Sequence, residues 1–569
     1  MLNGRKVMVN HNEITVHGRP TRGCPQGGVL SPLLWCLVID ELLISLQIAG
    51  FLIFGYADDI AVLIRGSFLS TLKERMTEAL KIIQNWCEAK GLTVNPSKTS
   101  AIIFTRKYKP EPIERLNLGT HIDIKRKNFY TSLWACKRAL GKTWGFKPSI
   151  ALWVYKAILL PRLTYAAIVW WPRTRKKETR NLLKSLQGNY LRAIAGSMRT
   201  TPTAALQVAL GCPPLEHVIT SVAKISAYRL QCLGEWRSTR NSHTALEFLH
   251  NPPFTFTQDR TPRKYQLQST FKVLIPARDD WKKPGFPNNL GTDIWYTDGS
   301  GNNNRFGAGF CGPKMGHRTS FSLGELATVF QAEVLAISEC AKLQISLGVR
   351  YRKICICSDS RAAINALAKT STESSTVWEG MQALSQLSKL NKITLIWTPG
   401  HQGVQGNEIA DGLAKLGTLE IPVQQTVGVP FVLGKKHIKE SLERQHLTSW
   451  TEAMGCRQAK LLIQQPSASR TKELLAMSKE KIRTCIGLLT GHITLRAHLY
   501  KLDLAEQTNC RLCGEEKEDS IHILCRCPVL ALKRYRIWGK MFLRPSDLMG
   551  AKMSSLYGLV ANAGLGLTE

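Results

Sequence analysis

The chain has 569 residues, enough for three or four folded modules at about 150 residues each and too many for one core. Charged residues make up 21%, yet 76 Lys and Arg face 42 Asp and Glu, so the net charge of +34 comes from missing acids and points to a polyanionic partner. A 44% hydrophobic content excludes a mainly disordered chain, and 16 Cys, mostly single within apolar runs such as those around Cys136, Cys340 and Cys355, exclude a disulfide scaffold.

The cysteine usage favours a reducing, intracellular setting, nuclear or cytoplasmic and not secreted. Residues 1–10 hold no apolar run fit for a signal peptide, and no apolar window is expected to reach the length that crosses a bilayer, the longest candidate being 166–171. No membrane partner is therefore expected.

In chain order, residues 1–105 alternate short β-rich runs with helical stretches. Arg22-Gly23-Cys24-Pro25-Gln26-Gly27-Gly28 is a Gly-rich turn entering an apolar helix that continues to about Ile48. The runs 51–56 and 60–64 flank Ala57-Asp58-Asp59, a predicted hairpin with two carboxylates at its tip. Adjacent acids on a rigid turn suit Mg²⁺, although a hydrophobic hairpin with a soluble acidic turn has the same pattern. Residues 128–233 switch to helical spacing, with Leu182, Leu183, Leu186, Tyr190 and Ile194 as a predicted apolar face. The basic run Arg173, Arg175, Lys176, Lys177 and Arg180 could track phosphates or be a solvated face. Residues 234–292 turn polar and Pro-rich and are expected to be a linker with little packed structure.

A compact α/β pattern follows over 293–417. Asp298 ends a β-rich run at a Gly turn, Glu333 lies on an apolar helix, Asp359 ends a strand over 353–357, and Asp411 lies on a helix after Trp397-Thr398-Pro399-Gly400-His401. Each acid has a plain alternative, the strongest being Asp359 as the cap of the helix opening at Arg361. Jointly they match what a metal-dependent nuclease site needs. Residues 418–505 read as a helical segment. In 506–569 stand Cys510, Cys513, His522 and Cys527, a donor set for a closed tetrahedral Zn²⁺ shell, with Cys525 competing for the fourth position and free core cysteines as the alternative. Arg511, Arg526, Lys533, Arg534 and Arg536 lie close by in sequence and are read as part of a small basic nucleic-acid-binding element.

The Gly-rich turn, Tyr56-Ala57-Asp58-Asp59 and Gly91-Leu92-Thr93-Val94-Asn95-Pro96-Ser97-Lys98-Thr99 together resemble the reverse transcriptases of non-LTR retrotransposons of the R1 and jockey kind. That resemblance implies a truncated palm over 1–127 and a helical thumb or connection region over 128–233. It also implies that Gln26 and Gly27 position template and nucleotide, that Asp58 and Asp59 ligate metal, and that Lys98 sits near the nucleotide phosphates. The family's further palm Asp lies well before the Gly-rich turn, whereas no Asp precedes Asp40 here, so no autonomous polymerase activity is expected.

Residues 293–417 resemble type 1 ribonuclease H, which implies a mixed five-stranded sheet with helices and a site that cuts the RNA strand of RNA/DNA hybrids. By the same likeness Asp298 would bridge two Mg²⁺ ions, Glu333, Asp359 and Asp411 would complete their shells, and His401 would assist proton transfer or product release. The Cys/His spacing is similar to the C-terminal cluster of R1 and jockey-like polyproteins, with a structural Zn²⁺. The expected architecture is thus multidomain, α/β and α, with RNA, DNA and their hybrid as partners and full-length element proteins as further candidates.

Overall fold

The computed structural model describes residues 7–11, 14–18, 29–96, 98–99, 101, 116–117, 121–122, 141, 144–236, 243–268, 270–283, 286–287, 293–312, 316–420, 426–561, 563 and 565. They fall into two compact units, 1–128 and 129–569. Gln26 and Gly27 lie outside the described residues.

The first unit holds an antiparallel pair, β1 (Val7–His11) with β2 (Ile14–Gly18), and then α1 (Ser31–Ile48), opened by Pro32 in its first turn. The hairpin of β3 (Leu52–Tyr56) and β4 (Asp59–Leu63) pairs Tyr56 with Asp59 across the two-residue turn Ala57-Asp58. The long helix α2 (Leu69–Lys90) ends at Gly91, whose left-handed φ of 64° lets its N–H reach back to the last carbonyls of the helix. Leu42 and Leu46 of α1 pack with Phe51 and with Leu80, Ile83 and Trp86 of α2. The 18-residue α1 is long and apolar enough to cross a membrane by length and composition alone, which corrects the expectation that no window reaches that length. Asp40 and Glu41 break the run into short apolar pieces, while the average over the whole helix stays high.

In the second unit, α3 (Lys177–Ala195) and α4 (Leu215–Cys232) form a helical body with α9 (Phe431–Thr451), α10 (Lys479–Thr490), α11 (Ala531–Trp538) and α12 (Met553–Val560). Leu183, Leu186, Tyr190 and Ile194 are buried as their spacing predicts, but Leu182 is exposed. The three regions separated on sequence at 128–233, 418–505 and 506–569 share one core, in which Tyr190 and Ile219 belong with Trp450, Ile486, Cys510 and Leu559. Neighbouring helices cannot bury their apolar stripes alone, so segments more than 200 residues apart close one body.

The α/β part is a six-stranded sheet, five of whose strands come from 293–417 and the sixth from before it. Its order is β9 (His317–Gly324), β8 (Arg305–Gly312), β7 (Asp293–Asn302), β10 (Lys353–Ser358), β12 (Lys392–Trp397) and β6 (Lys272–Leu274). β7, β8 and β9 are antiparallel in succession, and β7, β10, β12 and β6 are parallel, which makes the sheet mixed. Helices α5 (Val329–Ser346), α6 (Arg361–Leu367), α7 (Ser375–Ser388) and α8 (Gln405–Gly417) complete it.

The sixth strand comes from the segment expected to be an unpacked linker, and that expectation is corrected. A second piece of it, β5 (Arg260–Tyr265), pairs antiparallel with β11 (Ser371–Ser374), and Trp281 donates its indole N–H to the Trp397 carbonyl at 3.2 Å. Asp259, just before β5, is buried, and its Oδ1 accepts from Thr376 N at 2.9 Å, Thr376 Oγ1 at 2.7 Å and Ser375 Oγ at 3.0 Å, at the N-terminus of α7. Asp259→Ala is expected to cost about 1–3 kcal/mol, because three donors lose a charged acceptor in a buried place. A lowered urea midpoint at unchanged slope would show it.

Candidate active site

The central parallel strands β7 and β10 run in register, Thr297 opposite Ser358, so Asp298, which lies inside β7 rather than ending it as expected, stands beside Asp359, the first residue past the end of β10. Glu333 arrives from α5, which approaches β7 so closely that a Cβ on Gly299 would stand 2.5 Å from the Glu333 backbone N. Ligand oxygens of Asp298, Glu333 and Asp359 all lie within 4.8 Å of one another. Asp359 is free for this role because Ser360, not Asp359, caps α6: the Ser360 hydroxyl accepts from Ala363 N at 3.3 Å.

Asp411, on α8, hydrogen-bonds with the Asp298 carboxyl and accepts from Lys415 Nζ at 2.6 Å. It also joins a second group, His401, Glu408 and Asp411, whose candidate ligand atoms lie within 4.8 Å of one another. His401 is exposed on its loop, in the left-handed region at φ 53°. The four acids read from the sequence are thus brought together, Asp411 belonging to the second group and meeting the first through Asp298.

Burial, then the charges of Asp359 and Asp411, push the Asp298 carboxyl up to about 8. Burial, then Asp298 and Asp359, push Glu333 up to about 9, and Asp359 is raised mainly by burial. Carboxylates arranged this way cannot all ionise unless a cation joins them, and their oxygen donors suit Mg²⁺. Three supporting residues were missed on sequence: Asn407, hydrogen-bonded to Asp359; Ser358, whose hydroxyl donates to Glu333 Oε2 at 3.5 Å; and Glu408. Asn407 and Glu408 were visible as the polar residues one turn before Asp411 on the same helix.

Asp58 and Asp59 are exposed on their hairpin, Asp58 in the turn and Asp59 opening β4 rather than both at the tip. Trp35 of α1 donates its indole N–H to the Ala57 carbonyl at 2.7 Å and so ties the turn to the helix. Among the described residues, none of the convergent groups of three or more metal-ligating side chains includes either Asp. Lys98 is exposed in the turn after Asn95.

Family models match at two places, "Reverse transcriptase (RNA-dependent DNA polymerase)" over residues 5–127 and "RNase H" over residues 292–418. The retrovirus-related Pol polyprotein from type-1 retrotransposable element R1 of Bradysia coprophila is 29% identical over 250 residues, 40% of this chain and 25% of that protein. The RNA-directed DNA polymerase from mobile element jockey of Drosophila funebris is 26% identical over 229 residues, 36% of this chain and 25% of that protein. The chain is related to the R1 and jockey non-LTR retrotransposon polyproteins. It spans about a quarter of the length of these two relatives. Among solved structures, the RNase H1 of Halobacterium salinarum aligns at 22% identity and a TM-score of 0.19, over 22% of this chain and 96% of that one.

The retrotransposon-related chain also carries its Cys/His cluster as a closed group. Candidate ligand atoms of Cys510, Cys513, His522 and Cys527 all lie within 4.8 Å of one another. Cys510 Sγ is 4.0 Å from Cys527 Sγ, and Cys513 Sγ is 3.4 Å from His522 Nε2. Zn–S bonds of ~2.3 Å in a tetrahedron place sulfurs about 3.8 Å apart, so these donors fit a zinc shell. Glu516 Oε2 stands 3.2 Å from His522 Nδ1, the usual way to orient a ligating imidazole.

Cys525 stays outside the group, and burial pushes its thiol up to about 11, as for an ordinary core cysteine. Two of the neighbouring cations read as nucleic-acid contacts face inward instead. Arg534 is fully buried, donating to the carbonyls of Met541, Ile523 and Cys527, and Arg511 pairs with the buried Glu518 at 2.7 Å. A guanidinium reaches several orphan carbonyls at once, a use that sequence proximity to a cluster cannot reveal.

Proposed function

We propose that the chain hydrolyses the RNA strand of RNA/DNA hybrids at the Asp298, Glu333, Asp359 and Asp411 cluster, with two Mg²⁺ ions. The observation that carries this reading is the convergence of the buried Asp298 and Glu333, whose protons are held well above the usual carboxylate range, with the half-buried Asp359. Mg²⁺ bound there would supply Lewis acidity and a nucleophilic water near neutral pH. Asp298, which interacts with both Glu333 and Asp411, would be a ligand shared by the two ions. Asn407 and Ser358 fix the orientation of Asp359 and Glu333. Exposed on the rim, His401 can pass a proton to the leaving oxygen or to departing product. Selection of hybrid over single strands would rest on duplex shape and 2′-hydroxyls.

The reverse-transcriptase segment is assigned no independent activity, because Asp58 and Asp59 gather no third ligand among the described residues. A polymerase completed by a partner in trans is the second reading, favoured by the match over 5–127. A non-catalytic nucleic-acid-binding remnant is the third, favoured by the +34 charge. The zinc cluster is assigned a structural role, and α1 is assigned no membrane role. The chain is assigned a reducing location inside the cell, on cysteines that are mostly single and buried in apolar surroundings.

One experiment separates these readings. With Mg²⁺, the purified chain is expected to cut a labelled RNA strand annealed to DNA, to leave single-stranded RNA intact, and to extend no primer. A folded chain that binds the hybrid without cutting would leave the remnant, and primer extension would favour the polymerase.

A further inference from the structure

The surface that continues from the carboxylate cluster is basic and is built in part by the segment before the ribonuclease H match. Asp359 is followed by α6, on which Arg361 and Asn365 are exposed one turn apart, with exposed Lys369 one turn further on at the helix end. There the chain enters β11, where Ser371 pairs with Tyr265 and Thr372 with Lys264, and Gln266 N donates to the Thr370 carbonyl at 2.9 Å. Lys369 therefore meets the end of β5, whose Arg263, Lys264 and Tyr265 are all exposed.

This strand is fixed in place. Asp259 anchors its start in the N-terminus of α7, and Arg260 and Arg263 both pair with Glu373, at 3.1 and 2.8 Å. Lys264 Nζ lies 5.4 Å from the centre of the Trp378 ring, and Arg361 Cζ lies 3.9 Å from that of Trp397, whose indole N–H donates to the Asp359 carbonyl. Arg260 and Arg263 share Glu373, so the cations of the tract that carry no ion pair among the described residues are Arg361, Lys369 and Lys264. Along α6, seven residues at ~1.5 Å each carry the tract about 10 Å from Asp359, roughly three base steps of a duplex.

We infer that β5 and α6 form a phosphate-binding track, Arg361, Lys369 and Lys264, that holds the backbone of the hybrid a few base pairs from the cut. The occupant is a nucleic-acid backbone because the tract offers cations at strand and helix spacing with an exposed aromatic between them, and because it is continuous with the carboxylates. The inference rests on the hydrolase reading for the position of the cut and is tested so that each can fail alone.

The test compares the full chain with Lys264→Ala/Lys369→Ala, using a fluorescent hybrid of about 18 base pairs. The expected result is a KM raised about five- to twentyfold with kcat changed less than twofold, since contacts remote from the cut act on binding. Hybrid binding measured in Ca²⁺ should show a log K against log salt slope smaller by about two. Lys264→Arg/Lys369→Arg should restore both, which separates lost charge from lost folding. Equal KM and equal salt slope in the Ala variant would overturn the track while cleavage stood. An unmodified chain that cuts nothing but binds with the charge-dependent slope would strike the hydrolase and leave the track.

Discussion

Asp298→Asn is expected to abolish hybrid cleavage, by on the order of 10³-fold or more, and at the same time to stabilise the metal-free protein at neutral pH. Both effects come from the same crowding. Burial and the neighbours Asp359 and Asp411 hold the Asp298 proton on up to about pH 8, whereas an unfolded chain releases it near 3.8. Below that lower value both states are protonated and the site costs nothing. As pH rises from there towards about 8, the folded state keeps a proton that the unfolded state has lost, so stability falls with pH, and above about 8 the full cost remains.

Asn carries no such proton, so the gain from the substitution should be absent at the acid end and grow through that window. At pH 8 it should reach on the order of 1–3 kcal/mol, after discounting for the coupling among the acids. Mg²⁺ is expected to reverse the sign: bound to the folded wild type it would raise the melting temperature, and the variant, short of one ligand, would gain little. Thermal melts at pH 5 and pH 8, with Mg²⁺ and with chelator, read all four quantities. An Asn variant less stable than wild type at pH 8 in chelator would show that Asp298 is held by partners and not by repulsion.

The same site shows how far the sequence could be read. Asp298, Glu333, Asp359 and Asp411 were legible because each stands in a locally recognisable element, on a β-rich run, on an apolar helix or after a strand end, although Asp298 proves to lie inside β7 and not at its exit. What each acid meets was less so: whether Asp359 or Ser360 capped α6 turned on one residue, and only the described geometry frees Asp359 for the cluster. β6 was invisible because its three residues owe their state to pairing with Thr394, Leu395 and Ile396, more than a hundred positions away. Its neighbour β5 shows no alternation, since Arg263, Lys264 and Tyr265 are exposed alike. The helical regions were each legible as helices from 3.6-residue spacing. That spacing identifies an apolar face without naming what covers it, so the union of Tyr190, Trp450 and Leu559 in one core was beyond it.

That shared core sets the size of the second effect. Cys510 and Cys527 belong to it, so the Cys/His cluster is part of the wall of the helical body rather than a tethered appendage. Removing the proposed zinc would leave two buried sulfurs and a buried imidazole without their common partner, and 510–527 without the bond that closes it. Cys510→Ser is expected to lose the metal and to expose Trp450 and its neighbours together with the cluster, so that tryptophan fluorescence and protease sensitivity change across 144–236 as well as 506–569. A strong chelator should produce the same change in the unmodified protein, and added Zn²⁺ should reverse it there but not in Cys510→Ser. Cys525→Ser should keep one zinc per chain, measured by elemental analysis, since Cys525 is a core thiol outside the donor set. Loss of zinc from Cys525→Ser with retention in Cys527→Ser would reverse the assignment of the fourth ligand. Retained structure in 144–236 after metal loss would show that the core closes without the cluster.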